Sequence, residues 1–156
     1  MQQTTLLYLH KPSEKKILLA MKKRRFGEGK WNGVGGKLME GETIKQALVR
    51  ETFEEIGVKI NEDDLVQVAT LEFLYKDKPE WDQESHVFFI EKWNGEPIET
   101  EEMIPKWFLI KDLPYDKMWL DDPYWLPNIL EGKKVRGVIS LNNEGDKIID
   151  IKINEI

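Results

Sequence analysis

The stretch Gly36–Val58, GKLMEGETIKQALVRETFEEIGV, decides how the rest of the chain is read. It has the marks of a helix. Thr43 can cap the N-terminus, Gln46 three residues later completes a capping box, and Gly57 supplies the stop. Yet it carries five glutamates, and Glu51, Glu54 and Glu55 crowd near its end. Like charges three and four residues apart repel, at about 0.2–0.5 kcal/mol per pair. On a helical wheel Leu48, Val49, Thr52, Phe53 and Ile56 spread over one side, and the three glutamates gather at its border beside Arg50. Three carboxylates on one patch suit a hard divalent cation, which takes oxygen ligands and would supply the missing positive charge. A solvated acidic face is the alternative.

Working outward, the N-terminal runs TTLLYLHK and KKILLAMKK read as strands around a PSE turn. Then RFGEGKWNGVGGK packs five glycines into 13 residues and predicts a loop with unusual backbone angles. After the helix come strands in DDLVQVATLEFLYK, SHVFFIEKW and PKWFLIKDL. A second helix in DDPYWLPNILEG opens with acids and closes at Gly132. KVRGVISLNNEGDKIIDIKINEI reads as a closing hairpin. Strands interrupted by two helices predict an α+β domain, a mixed sheet with helices on its faces. No linker divides the 156 residues, so one domain over 1–156 is expected.

Composition excludes several classes. There are no cysteines, which removes disulfides and thiolate metal sites and fits a reducing cytoplasm. No apolar run reaches membrane-spanning length, and the N-terminus lacks the pattern of a signal peptide. The net charge of −6 argues against a nucleic-acid polymer as partner. The basic run KKRR at 22–25 is either a solvated strand end or a phosphate-attracting rim. His86 lies in a strand-like run and reads as structural, and Trp125 reads as core.

Gly36, Glu42, Arg50, Glu51, Glu54, Glu55 and Gly57, followed by the apolar Val58, stand at the spacing of a known signature. The segment 36–58 resembles the Nudix box of the Nudix hydrolases. One departure is Thr52, where the family usually has an aliphatic residue; a small effect on packing is expected. The resemblance implies an αβα sandwich around a mixed sheet. It also implies hydrolysis of a nucleoside diphosphate linked to a further group, with Mg²⁺ or Mn²⁺. Carried over by position, Glu51, Glu54 and Glu55 become the metal ligands, with Glu55 the first candidate for general base. The carbonyl of Gly35 or Gly36 adds a ligand, and Glu42 and Arg50 form a supporting ion pair.

LLAMKKRRFGEGKWNGVGGK, EMIPKWF and MWLDDPYW resemble the branch of the family that acts on oxidised purine nucleoside triphosphates such as 8-oxo-dGTP. By that resemblance Asn32, Phe73, Met103, Trp119, Asp121 and Asp122 form a base pocket, and Thr5, Lys22 and Phe26 line the same cleft. Glu102 is a candidate metal ligand outside the box, and Lys22 and Lys37 are candidates for holding phosphates. A purine needs flat apolar faces, which Trp119 and Phe73 offer, and an edge of donors and acceptors, for which Asn32 carries both. Adjacent buried aspartates cannot both ionise easily, so one should keep a proton and be able to donate. The implied role is Mg²⁺-dependent cleansing of the nucleotide pool by a monomer. A broader Nudix pyrophosphatase and a nucleotide sensor without turnover are the alternatives.

Overall fold

The computed structural model describes residues 1–156. Eight strands and two α-helices follow in the order β1 (Gln2–Lys11), β2 (Lys16–Lys22), β3 (Trp31–Asn32), α1 (Ile44–Ile56), β4 (Val66–Tyr75), β5 (Gln83–Ile90), β6 (Met103–Leu109), α2 (Asp122–Leu130), β7 (Val135–Leu141) and β8 (Ile148–Glu155). The expected strands are all present. β3 is the addition: two residues between glycine-rich turns, too short to carry a periodic pattern, paired with Ala20 and Met21 of β2.

The sheet is mixed, in the order β3-β2-β1-β5-β4-β7-β8, with β6 also on β2. β1 runs parallel to β5, and β4 parallel to β7; the remaining pairs are antiparallel. Alternation along β1 divides the interior. Tyr8 joins Trp125, Leu126 and Ile129 of α2 in one apolar cluster. Leu7 and Leu9 join Leu48 and Ile56 of α1 in another. Successive strand residues point to opposite faces, so the two helices cover opposite sides of the sheet. This is the αβα sandwich expected from the sequence.

β1 and β2 pair only at His10–Ile17 and Lys11–Lys16. Beyond that point they part, and the glycine loop takes the vacated edge of β1 through bridges Leu7–Val34 and Thr4–Lys37. Gly35 adopts φ 149°, and a Cβ there would lie 2.1 Å from the Thr5 carbonyl oxygen. Only glycine permits that approach. The loop is thereby wedged between β1 and the end of α1.

α1 begins and ends as its sequence predicts. The Gln46 N–H donates to Thr43 Oγ1 at 3.1 Å and the Thr43 N–H to Gln46 Oε1 at 3.0 Å. Gly57, at φ 72°, closes the helix with its N–H on the Phe53 carbonyl. The buried stripe differs from the predicted one. Ala47, Leu48, Thr52, Glu55 and Ile56 are buried, whereas Phe53 is 51% exposed. The face is turned so that Glu55 lies under the glycine loop and Phe53 at the surface. Thr52 fits sterically, but its Oγ1 is buried with no hydrogen-bond partner, so the cost there is polar rather than one of packing.

Candidate active site

Two acid pairs lie on opposite sides of β1, and the glycine loop runs between them. On the α1 side, Glu55 is 8% exposed and its Oε2 accepts the Gly35 N–H at 3.1 Å. Gly36 lies against Glu51: a Cβ on it would come 3.0 Å from Glu51 Oε1. The Glu51 and Glu55 carboxyl groups are near enough for each to act on the other. Burial, then the Glu51 charge, pushes Glu55 up to about 8, against the pull of the Gly35 N–H and Lys22. Burial likewise raises Glu51, opposed by Arg50.

Arg50 organises this side. It grips Glu42 with two parallel bonds, Nε to Oε2 at 2.7 Å and Nη2 to Oε1 at 2.9 Å. Its Nη1 donates to Glu51 Oε1 at 2.9 Å and Glu54 Oε2 at 3.2 Å, and Nη2 reaches the Lys37 carbonyl at 3.3 Å. The Met39 N–H also donates to Glu42, and these bonds hold Glu42 at about 2. The planar fork of Arg suits this bidentate grip as Lys would not. The tight gathering of three carboxylates expected from the wheel is not what the side chains adopt. Glu51 and Glu55 turn inward together, while Glu54, 55% exposed, leans to Arg50. No group of three or more His, Cys, Asp or Glu side chains is poised around one point. The reason is local: Arg50 stands four residues before Glu54 and is the nearest cation.

Of the two glycine carbonyls considered, that of Gly36 accepts the Thr5 N–H at 2.9 Å and the Thr5 hydroxyl at 3.3 Å. That leaves Gly35 as the better oxygen for a cation. Thr5 therefore sits against the glycine loop on the α1 side, where its hydroxyl is occupied, rather than beside the aspartates. Met103 is also on this side, buried in the α1 cluster opposite Lys22. Lys22 acts electrostatically on both Glu55 and Glu102. Glu102 itself accepts from Arg24 Nη2 at 2.6 Å, and Lys23 Nζ meets Glu99 at 2.7 Å. The basic run is thus mostly tied to the acidic segment 99–102, which Thr100 fastens to α1 by donating to the Glu55 carbonyl at 2.8 Å. Thr100 had no signature in the sequence.

On the α2 side, Asp121 is 7% and Asp122 2% exposed. Neither caps the helix with its side chain. Asp121 Oδ2 accepts the Trp125 indole N–H at 2.7 Å, and Asp122 Oδ2 accepts the Trp119 N–H at 3.1 Å. Burial pushes both carboxyls up, Asp122 further because Asp121 lies beside it. Trp125 is core, as expected, but also holds Asp121. The Trp119 ring lies 5.2 Å from that of Phe26, with Lys30 Nζ 5.3 Å from its centroid. Phe26 is 76% exposed, so this aromatic pair forms a rim. Phe73, on β4, packs against the apolar cluster that holds Tyr8 and Trp125. Asn32 Oδ1 accepts the Gly33 N–H at 2.9 Å and the Tyr8 hydroxyl at 3.4 Å. Its acceptor capacity is used within the protein, so only its NH₂ remains to offer. Tyr8 was not foreseen; a tyrosine inside an apolar strand carries a hydroxyl that must find a partner, and that was the available signal.

A fold of this topology, with a carboxylate-bearing helix capped over a glycine loop, defines a class before any name is attached. The NUDIX domain family model matches residues 2–129. The oxidized purine nucleoside triphosphate hydrolase of Danio rerio is 40% identical over 141 residues, covering 90% of this chain and 88% of that protein. The protein of the same name from Mus musculus matches to the same extent. A crystal structure of the mutator MutT protein from Bacillus halodurans superposes with a TM-score of 0.83 over 99% of this chain and 98% of that one, at 19% identity. The chain belongs to the Nudix hydrolase family, and pyrophosphatase activity on nucleoside phosphates is the coarse function that membership carries. No helix is long and apolar enough to cross a membrane.

Proposed function

We propose that the protein hydrolyses purine nucleoside triphosphates, oxidised ones such as 8-oxo-dGTP first among them, to the monophosphate and pyrophosphate. The observation that carries this reading is the pairing of two unlike acid sites across β1. One is an oxygen-rich pair beside Arg50 and Lys22; the other is a protonatable pair beside an aromatic rim. The names of the Danio rerio and Mus musculus relatives support the choice of oxidised purines.

The donor set fits a hard divalent cation, Mg²⁺ or Mn²⁺. It is all oxygen, and of its two carboxylates only Glu51 is in a salt bridge, to Arg50, while Lys22 acts on Glu55 without bonding it. Glu51, Glu55 and the Gly35 carbonyl would hold the ion, with Glu54 joining on release from Arg50 and Glu102 a further candidate. When bound, such an ion neutralises phosphate oxygens and makes water more acidic. The chain's own groups do the rest. Glu55, held in place by the Gly35 N–H, is the first candidate to accept the proton of the attacking water. Arg50 and Glu42 fix Glu51. Lys22 and Lys37 attract the phosphates, while Trp119 and Phe26 offer a face to the base and Asn32, Asp121 and Asp122 its edge.

The test is kcat/KM with Mg²⁺ for 8-oxo-dGTP, 2-oxo-dATP, dGTP and dATP, with monophosphate and pyrophosphate both quantified. A preference for the oxidised purines is the expected result. Equal rates on all four would leave a broad pyrophosphatase, and nucleotide binding without products would leave a sensor.

A further inference from the structure

Tyr8 is fully buried at the centre of β1, yet its hydroxyl does not end among apolar atoms. It lies 3.4 Å from Asn32 Oδ1, and Asp121, Asp122 and Tyr115 are near enough to act on it electrostatically. Burial first, then the two aspartates, keep the phenol well above its ordinary value, so it stays a neutral O–H. Toward Asn32 that O–H can only be the donor, since the atom facing it is an amide oxygen.

The orientation of Asn32 follows by counting. The Gly33 N–H is a donor without acceptor capacity, so the amide atom 2.9 Å from it is oxygen. An amide oxygen has two lone pairs; Gly33 takes one and Tyr8 the other. Asn32 Nδ2 has no hydrogen-bond partner in the protein and is not a sealed-off polar atom, so it faces open space. Asp122 follows the same plan: Oδ2 is anchored by the Trp119 N–H, and Oδ1 is neither bonded nor sealed off. The edge of the cleft thus shows one fixed donor and one carboxyl.

Building on the base-site reading above, we propose that Tyr8 is a positioning residue for base selection: its hydroxyl fills the second lone pair of Asn32 Oδ1 and so keeps Asn32 a donor only. A purine with a carbonyl at the 6-position is then matched by the Asn32 NH₂, while a 6-amino purine meets donor against donor. Without the hydroxyl, the freed lone pair can accept from an amino group, and the discrimination weakens.

Tyr8→Phe keeps the ring and removes only the O–H. Equilibrium dissociation constants are measured for GMP, AMP and inorganic pyrophosphate, so that turnover is not needed, alongside kcat and KM for dGTP and dATP. The expected result is a guanine-over-adenine preference in the wild type that narrows about fivefold in the variant, the scale of one neutral hydrogen bond. Pyrophosphate affinity and kcat stay within about twofold. Uniform weakening toward all three ligands with a lowered Tm would show a merely structural tyrosine and overturn the proposal, as would an unchanged preference. If Tyr8→Phe does not fold, Asn32→Asp decides: it keeps the Gly33 and Tyr8 bonds and replaces the outward NH₂ by oxygen, so the preference must shift toward adenine. Failure of the wild type to bind either purine monophosphate overturns the base-site reading itself, and this inference with it.

Discussion

The two acid pairs resemble each other in one respect and differ in almost everything else. Glu51–Glu55 and Asp121–Asp122 each put two carboxyl groups where burial raises their proton affinity. The glutamates stand beside cations. Arg50 reaches Glu51, and Lys22 pulls on Glu55. The aspartates are fastened instead by neutral N–H groups, of the Trp125 ring and the Trp119 backbone. Beside the glutamates, Arg50 and Lys22 oppose the burial that favours a proton there, and that positive setting suits phosphate and a divalent ion able to displace the proton. The aspartates bond no cation, and burial outweighs their N–H donors and the charge of Lys30, which favours a proton and suits a neutral ring with both donors and acceptors. The surroundings, not the residue type, divide the labour.

The sharpest way to break the comparison is to neutralise one glutamate. Glu55→Gln should cut kcat by about 10³-fold, measured as pyrophosphate release, because the group proposed to take the proton is gone. Retained turnover would move the general-base role to Glu51 or Glu54. Next in size is Arg50→Lys. It keeps the charge but loses the fork that holds Glu42 and Glu51, and a fall in activity of about 10–100-fold is expected, with weaker Mg²⁺ dependence.

Asp122→Asn sharpens the other half. Burial raises the Asp122 carboxyl well above the ordinary aspartate value of 3.8 that applies in the unfolded chain. The folded state therefore binds more protons than the unfolded one as pH rises above that value, so stability falls through the window up to the raised folded value. The amide does not ionise and lacks this falling limb. The Tm of the variant relative to wild type should climb as pH rises above about 4; a flat difference would mean Asp122 is ionised in the folded protein.

Two smaller effects concern α1 alone. Thr52→Val removes a buried hydroxyl that has no partner and keeps the shape. It should stabilise by about 1–2 kcal/mol in a denaturant titration, with activity unchanged. Thr43→Ala removes the capping box and should cost about 1 kcal/mol, again without touching kcat.

Sequence and structure agree most closely where the chain's chemistry is local. Thr43, Gln46 and Gly57 bracket α1 by short-range hydrogen bonding, and the glycines of 27–36 announce a loop that only they can trace. The box resemblance implies an ion pair of Glu42 with Arg50, and both bonds of that pair are present. What was not legible is non-local. The turn of α1 that buries Glu55 and exposes Phe53 depends on Gly35 arriving from another element. Thr5 was grouped with the base cleft by resemblance alone, and its bond to the Gly36 carbonyl depends on the glycine loop taking the edge of β1. Tyr8 and Thr100 act through partners more than twenty residues away, at Asn32 and Glu55, and no spacing rule reaches that far.

The division of labour between the two pairs is the central claim, and one experiment addresses it directly. Glu55→Gln, Asp122→Asn and the double variant are compared on a single purine nucleoside triphosphate, with kcat from product release and Kd from equilibrium titration. The account predicts that Glu55→Gln lowers kcat with Kd little changed, and that Asp122→Asn weakens binding with kcat largely kept. The double variant should show both effects summed in free energy, as sites without shared partners do. If Asp122→Asn instead abolishes turnover at unchanged Kd, or if the two effects fail to add, the pairs act as one site and the account is wrong.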